Sequence, residues 1–170
     1  MKELILTLLS DDKPGIVETL STSVAANGGN WLESRMTQMA GKFAGIARIA
    51  CEDKDEQALT EALHKLESGN LRITIDIGRG DVQVNKNQIA LMVTANDRPG
   101  IVREVSNCLA DLNINLEDLH TDCDAGAMSS GPIFKASFLA VMPEGLSSDQ
   151  VIESLESLSD DLMVDIDTDS

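Results

Sequence analysis

Tyrosine is absent from this 170-residue chain, and phenylalanine and tryptophan contribute only three residues and one. Any core must therefore be aliphatic. The same scarcity argues against an RNA-recognition sheet, which stacks bases on aromatic side chains framed by basic ones. Cysteine is also sparse. Cys51, Cys108 and Cys123 form an odd, widely spaced set that fits neither a disulfide framework nor a zinc motif. Histidine occurs twice, at positions 64 and 120. No Gly-x-Ser-x-Gly, phosphate loop or His-Glu-x-x-His is present. A non-enzymatic protein without a cofactor is expected. No apolar run approaches the ~18 residues of a membrane span, and the stretch after Met1 is too short for a secretory signal. These features predict a cytoplasmic setting.

Positive charge is in short supply as well. Thirteen Lys and Arg face 29 Asp and Glu, for a net charge of −16. Residues 1–85 carry −4 and residues 86–170 carry −12. Clustered cations are what bind a phosphate backbone, so direct nucleic-acid binding is not expected. A basic protein partner suits this surface better.

What the chain does have is a repeat. Asp12-Lys13-Pro14-Gly15-Ile16-Val17 returns as Asp97-Arg98-Pro99-Gly100-Ile101-Val102, 85 positions later. Ser21 and Ser106, Ala25 and Ala110, and Asn30 and Asn115 match at the same offset. A repeat this long is a duplicated domain rather than a solenoid unit.

Both copies have the same pattern. A short branched-aliphatic run predicts a strand, at Leu4–Leu9 and Ile89–Ala95. The Asp-x-Pro-Gly turn follows, with its proline expected in the first helical turn, where a missing N–H costs nothing. Ile16, Leu20 and Val24, then Ile101, Val105 and Leu109, form one helical stripe in each copy. Two strands come next, about Trp31–Met39 and Phe43–Cys51, then Asn115–Asp122 and Ile133–Met142. The second copy has six extra residues in its Gly/Ser-rich connection, 124–132. A second helix carries Leu59, Ala62, Leu63 and Leu66, or Val151, Ile152, Leu155 and Leu158. In the last strand Leu71, Ile73, Ile75 and Ile77 should face inward, and in the second copy Leu162, Val164 and Ile166. The order βαββαβ predicts an α+β chain of two ferredoxin-like domains, with helices on one face of each antiparallel sheet. The expected boundaries are 1–79 and 88–170, joined by a linker at 80–87. The uncovered sheet face and edge strands imply a homo-oligomer or close packing of the two domains.

The repeated strand–Asp-x-Pro-Gly-Ile-Val–helix–Asn pattern resembles ACT domains, small-molecule sensing modules of amino-acid metabolism. Within the first copy, Asn30-Trp31-Leu32-Glu33-Ser34-Arg35-Met36 with Gly41 and Phe43 resembles the glycine cleavage system transcriptional repressor family. The resemblance implies an accessory regulator that responds to glycine and acts on a DNA-binding activator protein without touching DNA. The alternative it allows is an amino-acid-binding subunit that controls a metabolic enzyme.

The candidate ligand-binding residues are Asp12, Pro14, Gly15, Ile16, Val17 and Asn30, with Asp97, Pro99, Gly100, Ile101, Val102 and Asn115 in the second copy. Unpaired N–H groups at a helix start hold a carboxylate, and an adjacent Asp can pair with an ammonium. A small zwitterionic amino acid offers both. The competing reading makes Asp12 and Asp97 helix caps and Asn30 and Asn115 left-handed turn residues. Arg35 could grip a carboxylate or sit in a surface pair. His120 and Cys123 are too far out of phase on a strand to share a metal. Cys51, Cys108 and Met36, Met39, Met92 and Met142 are expected to fill the core.

Overall fold

A computed structural model describes residues 1–78, 87–124 and 131–167. The chain divides into two compact units, Met1–Val82 and Gln83–Ser170. The expected linker, apart from Asn87, and the connection at 125–130 lie outside the described residues.

The first unit runs β1 (Lys2–Asp11), α1 (Ile16–Ala26), β2 (Gly29–Met39), β3 (Lys42–Cys51), α2 (Glu56–His64) and β4 (Arg72–Ile77). The second repeats it as β5 (Gln88–Asn96), α3 (Ile101–Asp111), β6 (Asn115–Asp124), β7 (Ile133–Val141), α4 (Ser148–Glu156) and β8 (Met163–Asp167). Each unit is one four-stranded antiparallel sheet, in the orders β2-β3-β1-β4 and β6-β7-β5-β8. These are two ferredoxin-like βαββαβ units, as the hydrophobic pattern predicts.

The core of each unit follows from the alternation of its central strand. Leu4, Leu6 and Leu8 of β1 are buried with Leu20 and Val24 of α1 and Leu59 and Leu63 of α2. Ile89, Leu91 and Val93 of β5 pack with Val105, Leu109, Val151 and Leu155 in the same way. β1 outruns its apolar stretch because Ser10 and Asp11 still pair with Phe43 and Lys42.

The edges depart from expectation. Ile77 has the inward parity but is 66% exposed, since it ends an edge strand whose only neighbour there is Leu4. Met36 and Met142 pack against the cores, whereas Met39 and Met92 are 67% and 51% exposed. Met39 stands at the hairpin tip, and Met92 lies with Ser137 on the sheet face away from the helices.

Two backbone features set the ends of the sheets. Ala40 and Gly41 join β2 to β3 with φ 49° and 77°, the positive pair that a two-residue type I′ hairpin requires. The amide of Asp12 then donates to the Gly41 carbonyl (3.0 Å), which ties the segment after β1 to that hairpin. In the second unit the Asp97 amide donates to the Pro132 carbonyl (2.9 Å).

Gly45 of β3 is required by close approach. A Cβ there would lie 2.4 Å from Cγ of Met36 and 2.7 Å from the Arg35 carbonyl oxygen. The first can swing away, but the second is ladder backbone. Gly45→Ala should therefore cost about 1–3 kcal/mol, the usual range for overpacking. A lower urea midpoint at an unchanged slope would show it, and an unmoved midpoint would contradict it.

Candidate functional site

The segment Asp12–Gly15 leaves β1, crosses the end of the sheet and starts α1. Gly15 is the residue before the first helical turn, with φ 90° and ψ 1°, and no side chain caps the helix. The helical ladder begins with the Thr19 amide on the Gly15 carbonyl (2.9 Å), an oxygen that the Thr19 hydroxyl also reaches (2.8 Å). The amides of Ile16, Val17 and Glu18 consequently lack intrahelical acceptors and carry the positive end of the helix dipole.

Two expectations change here. Pro14 precedes Gly15 and so lies outside the first helical turn, because a left-handed residue must intervene before helical geometry can begin. Neither Asp12 nor Asp97 is a helix cap, since Gly15 and Gly100 (φ 98°) occupy that position without a side-chain bond.

Two recesses flank the loop. The larger, about 500 Å³, lies between the loop and the turn before β4, and is lined by Ser10, Asp11, Lys13, Thr19 and Asn70 among others. Its carboxylate is already engaged, because Lys42 and Asn70 both donate to Asp11. Glu67 fixes its far wall by accepting from the Ile73 amide (3.0 Å) while contacting His64 Nδ1 (3.1 Å). Both contacts hold the Glu67 carboxyl below its ordinary pKa, the backbone bond most strongly.

The smaller recess, about 280 Å³, is lined by Asp12, Lys13, Gly15, Ile16, Val17, Glu18 and Phe43. Among the described residues the Asp12 carboxylate has no hydrogen-bonding or ionic partner, although it sits beside the helix start. A small pocket with a negative side chain at one wall and free amides at the other can hold a molecule that carries an ammonium and a carboxylate.

The structure thus brings Asp12, Pro14, Gly15, Ile16 and Val17 together, and likewise Asp97, Pro99, Gly100, Ile101 and Val102. It does not bring Asn30 or Asn115 to the loop of its own unit. Asn30 pairs with Ala50, which pairs with Glu3, eight residues up β1 from Asp11. At about 3.3 Å per residue, that is roughly 26 Å away. Asn115 stands at the corresponding end, opposite Val141 and hence Gln88. Both are strand residues, and among the described residues the non-glycine ones with positive φ are Ala40 and Asn113.

Arg35 lies beside Ile46 on β3, on the sheet face away from the helices. His120 and Cys123 fall on opposite faces of β6, opposite Ser137 and Phe134. Burial pushes the Cys51 and Cys108 thiols up, away from the nucleophilic form. Phe43, Lys42 and Asn70 join the site without any local sequence signal, because sheet register delivers the first two and the turn before β4 the third.

Residues 2–77 match the family model of the ACT domain. The first unit is an ACT domain. It is the regulatory module that the repeated turn motif resembles, and the second unit repeats its topology strand for strand. Among curated proteins, none matches the sequence. A solved structure of an unknown protein from Galdieria sulphuraria is 24% identical, with a TM-score of 0.81, over 98% of this chain and 96% of that one. A candidate glycine cleavage system transcriptional repressor is 17% identical, with a TM-score of 0.70, over 99% of this chain and 98% of its own. At these identities the likeness establishes the shared fold across both units.

The ACT domain's Asp11 gives a pH test of the loop. The hydrogen bond from Lys42 lowers its pKa below the ordinary 3.8. A depressed folded pKa adds stability that is complete above the unfolded value and is lost as pH falls through the folded one. The Asp11 carboxyl, followed by NMR, should titrate below the ordinary aspartate range and return toward it in Lys42→Met. A midpoint unmoved by that substitution would contradict the pairing.

Proposed function

We propose that the protein is an amino-acid-responsive regulator that acts through contact with another protein, as a transcriptional co-regulator of glycine cleavage genes. The observation that carries this reading is the small recess of the ACT domain, where Asp12, unpartnered among the described residues, lines the same space as Ile16, Val17 and Glu18 at the helix start. The carboxylate of glycine would take the amides and its ammonium would take Asp12. The recess is the smaller of the two, and Phe43 and Val17 give it an apolar lining, which suits a ligand with little or no side chain. A dicarboxylate would meet Asp12 and Glu18 and be repelled. The larger recess suits an amino acid less well, since its carboxylate is already neutralised.

The likeness to a candidate glycine cleavage repressor over nearly the whole chain supports the physiological setting. The net charge of −16 supports a protein partner over DNA. No helix among the described residues is long and apolar enough to cross a membrane, and the regulator is proposed to act in the cytoplasm as a homo-oligomer.

Asp12→Ala decides the role of the side chain. A charge-assisted bond contributes roughly 1.5–3 kcal/mol, so the variant should bind glycine at least about tenfold more weakly. Because Asp12 caps nothing, its melting temperature should stay within about a degree of the parent's. Calorimetric titration that finds an unchanged Kd would remove Asp12 from the site.

A further inference from the structure

Each sheet carries helices on one face only, and the open faces of the two units differ in charge. In the ACT domain, Ile5, Thr7 and Leu9 of β1 lie opposite Arg48, Ile46 and Ala44 of β3 on one side and opposite Asp76, Thr74 and Arg72 of β4 on the other. Glu33, Arg35 and Thr37 of β2 complete the three rows. The centre of this face is apolar, with Ile46 46% exposed. Although the chain is strongly acidic, three of its six arginines stand here. Arg48 meets Glu3 at 3.6 Å and Glu33 at 3.7 Å. In the next two rows Arg35 and Arg72 carry the charge, one on each outer strand, at opposite corners of the patch.

The second unit fills the same positions differently. His120 stands for Arg35, Leu139 for Arg48 and Met163 for Arg72, while Asp122 and Asp165 stand for Thr37 and Thr74. Met92 and Met163 are 51% and 61% exposed. Lys135 of this face is held by Asp124 at 2.7 Å. Asp122 and Asp165 also lie on outer strands and at opposite corners of two rows, but on the other diagonal. Turning one face over to lie on the other exchanges the diagonals, so each aspartate comes over an arginine. With the strands reversed, Asp122 meets Arg35 and Asp165 meets Arg72. That direction also carries Asp118 and Asp167, one row along, away from Glu33 and Asp76.

We infer that the open sheet face of one copy's ACT domain docks on the open sheet face of a second copy's second unit, with Arg35 and Arg72 on Asp122 and Asp165. The inference rests on the homo-oligomer proposed above and names its surface. Strand and residue spacings give each face about 20 Å by 20 Å, so one such contact buries roughly 800 Å² in total. That is the size of a packing contact, whereas two reciprocal contacts bury about 1,600 Å², the size of a stable complex. Two copies that exchange the contact reciprocally therefore close into a dimer. Face-to-face sheets interdigitate their apolar side chains at the centre, and the charged corners set the register.

Sedimentation equilibrium of the full chain tests this with two charge-reversed variants. Arg35→Glu with Arg72→Glu alters one face, and Asp122→Lys with Asp165→Lys alters the other. Each variant alone should associate at least about tenfold more weakly than the parent, because like charges then meet in both contacts. An equimolar mixture of the two should recover the dimer, since every corner again joins opposite charges. Should a reversed variant fail to fold, the neutral pairs Arg35→Gln with Arg72→Gln and Asp122→Asn with Asp165→Asn take their place, with a few-fold weakening expected in each. A folded variant that associates like the parent, or a mixture of reversed variants that stays monomeric, would overturn the docking and leave the homo-oligomer standing. A parent that is monomeric at every concentration would overturn both.

Discussion

Gly15 sits at φ 90°, ψ 1°, between an extended strand and a right-handed helix. A side chain in that conformation would crowd the following carbonyl, so only glycine holds it cheaply. The geometry of the loop follows from this one backbone setting. The chain turns sharply enough that Asp12, three residues back, is left beside the helix start rather than over it as a cap. The Asp12 amide, bound to Gly41, fixes the other end of the turn to the β2–β3 hairpin. Between those two restraints the amides of Ile16 to Glu18 face a recess, and no side chain of the loop satisfies them. Gly100 repeats the setting at φ 98°.

The shared topology of the two units makes the side-chain differences informative. The fold needs the left-handed glycine, the hairpin tie and the aliphatic stripe, and both copies keep all three. Beyond those, the copies diverge in the side chains around the loop. Lys13 and Thr19 of one stand against Arg98 and Glu104 of the other, and Gln38 stands against Cys123. In the second unit Arg98 and Glu104 form an ion pair that the first unit's Lys13 and Thr19 cannot make. It lies in the more acidic half, where an arginine–carboxylate pair also offsets part of the local repulsion.

The fold was legible because period-2 and period-3.6 patterns alternated cleanly, and the repeat let each copy check the other. The strands at Leu4–Leu9 and Ile89–Ala95 and the stripes through Leu20 and Leu109 stand as expected. The errors have local causes. Parity placed Ile77 inward, but parity says nothing about where an edge strand loses its second neighbour. The preference of proline for a first helical turn misplaced Pro14, because it ignored the left-handed glycine behind it. The loop motif itself was legible. Its surroundings were not, since Phe43, Lys42 and Asn70 arrive through sheet register and a distant turn. Asn30 and Asn115 recur with the motif in sequence, yet each stands at the opposite end of its own sheet from the loop.

Recognition of a small zwitterionic amino acid by the native chain is the proposal on which the rest depends. A ligand that binds only the folded protein raises its melting temperature by mass action, by an amount set by the ratio of free ligand to Kd. Thermal-shift measurement of the full chain against each of the twenty amino acids is the most direct test. A concentration-dependent rise is expected with glycine, smaller rises with the next-smallest side chains, and none with aspartate or glutamate. A flat response to all twenty, or a rise confined to the dicarboxylic or bulky members, would contradict it.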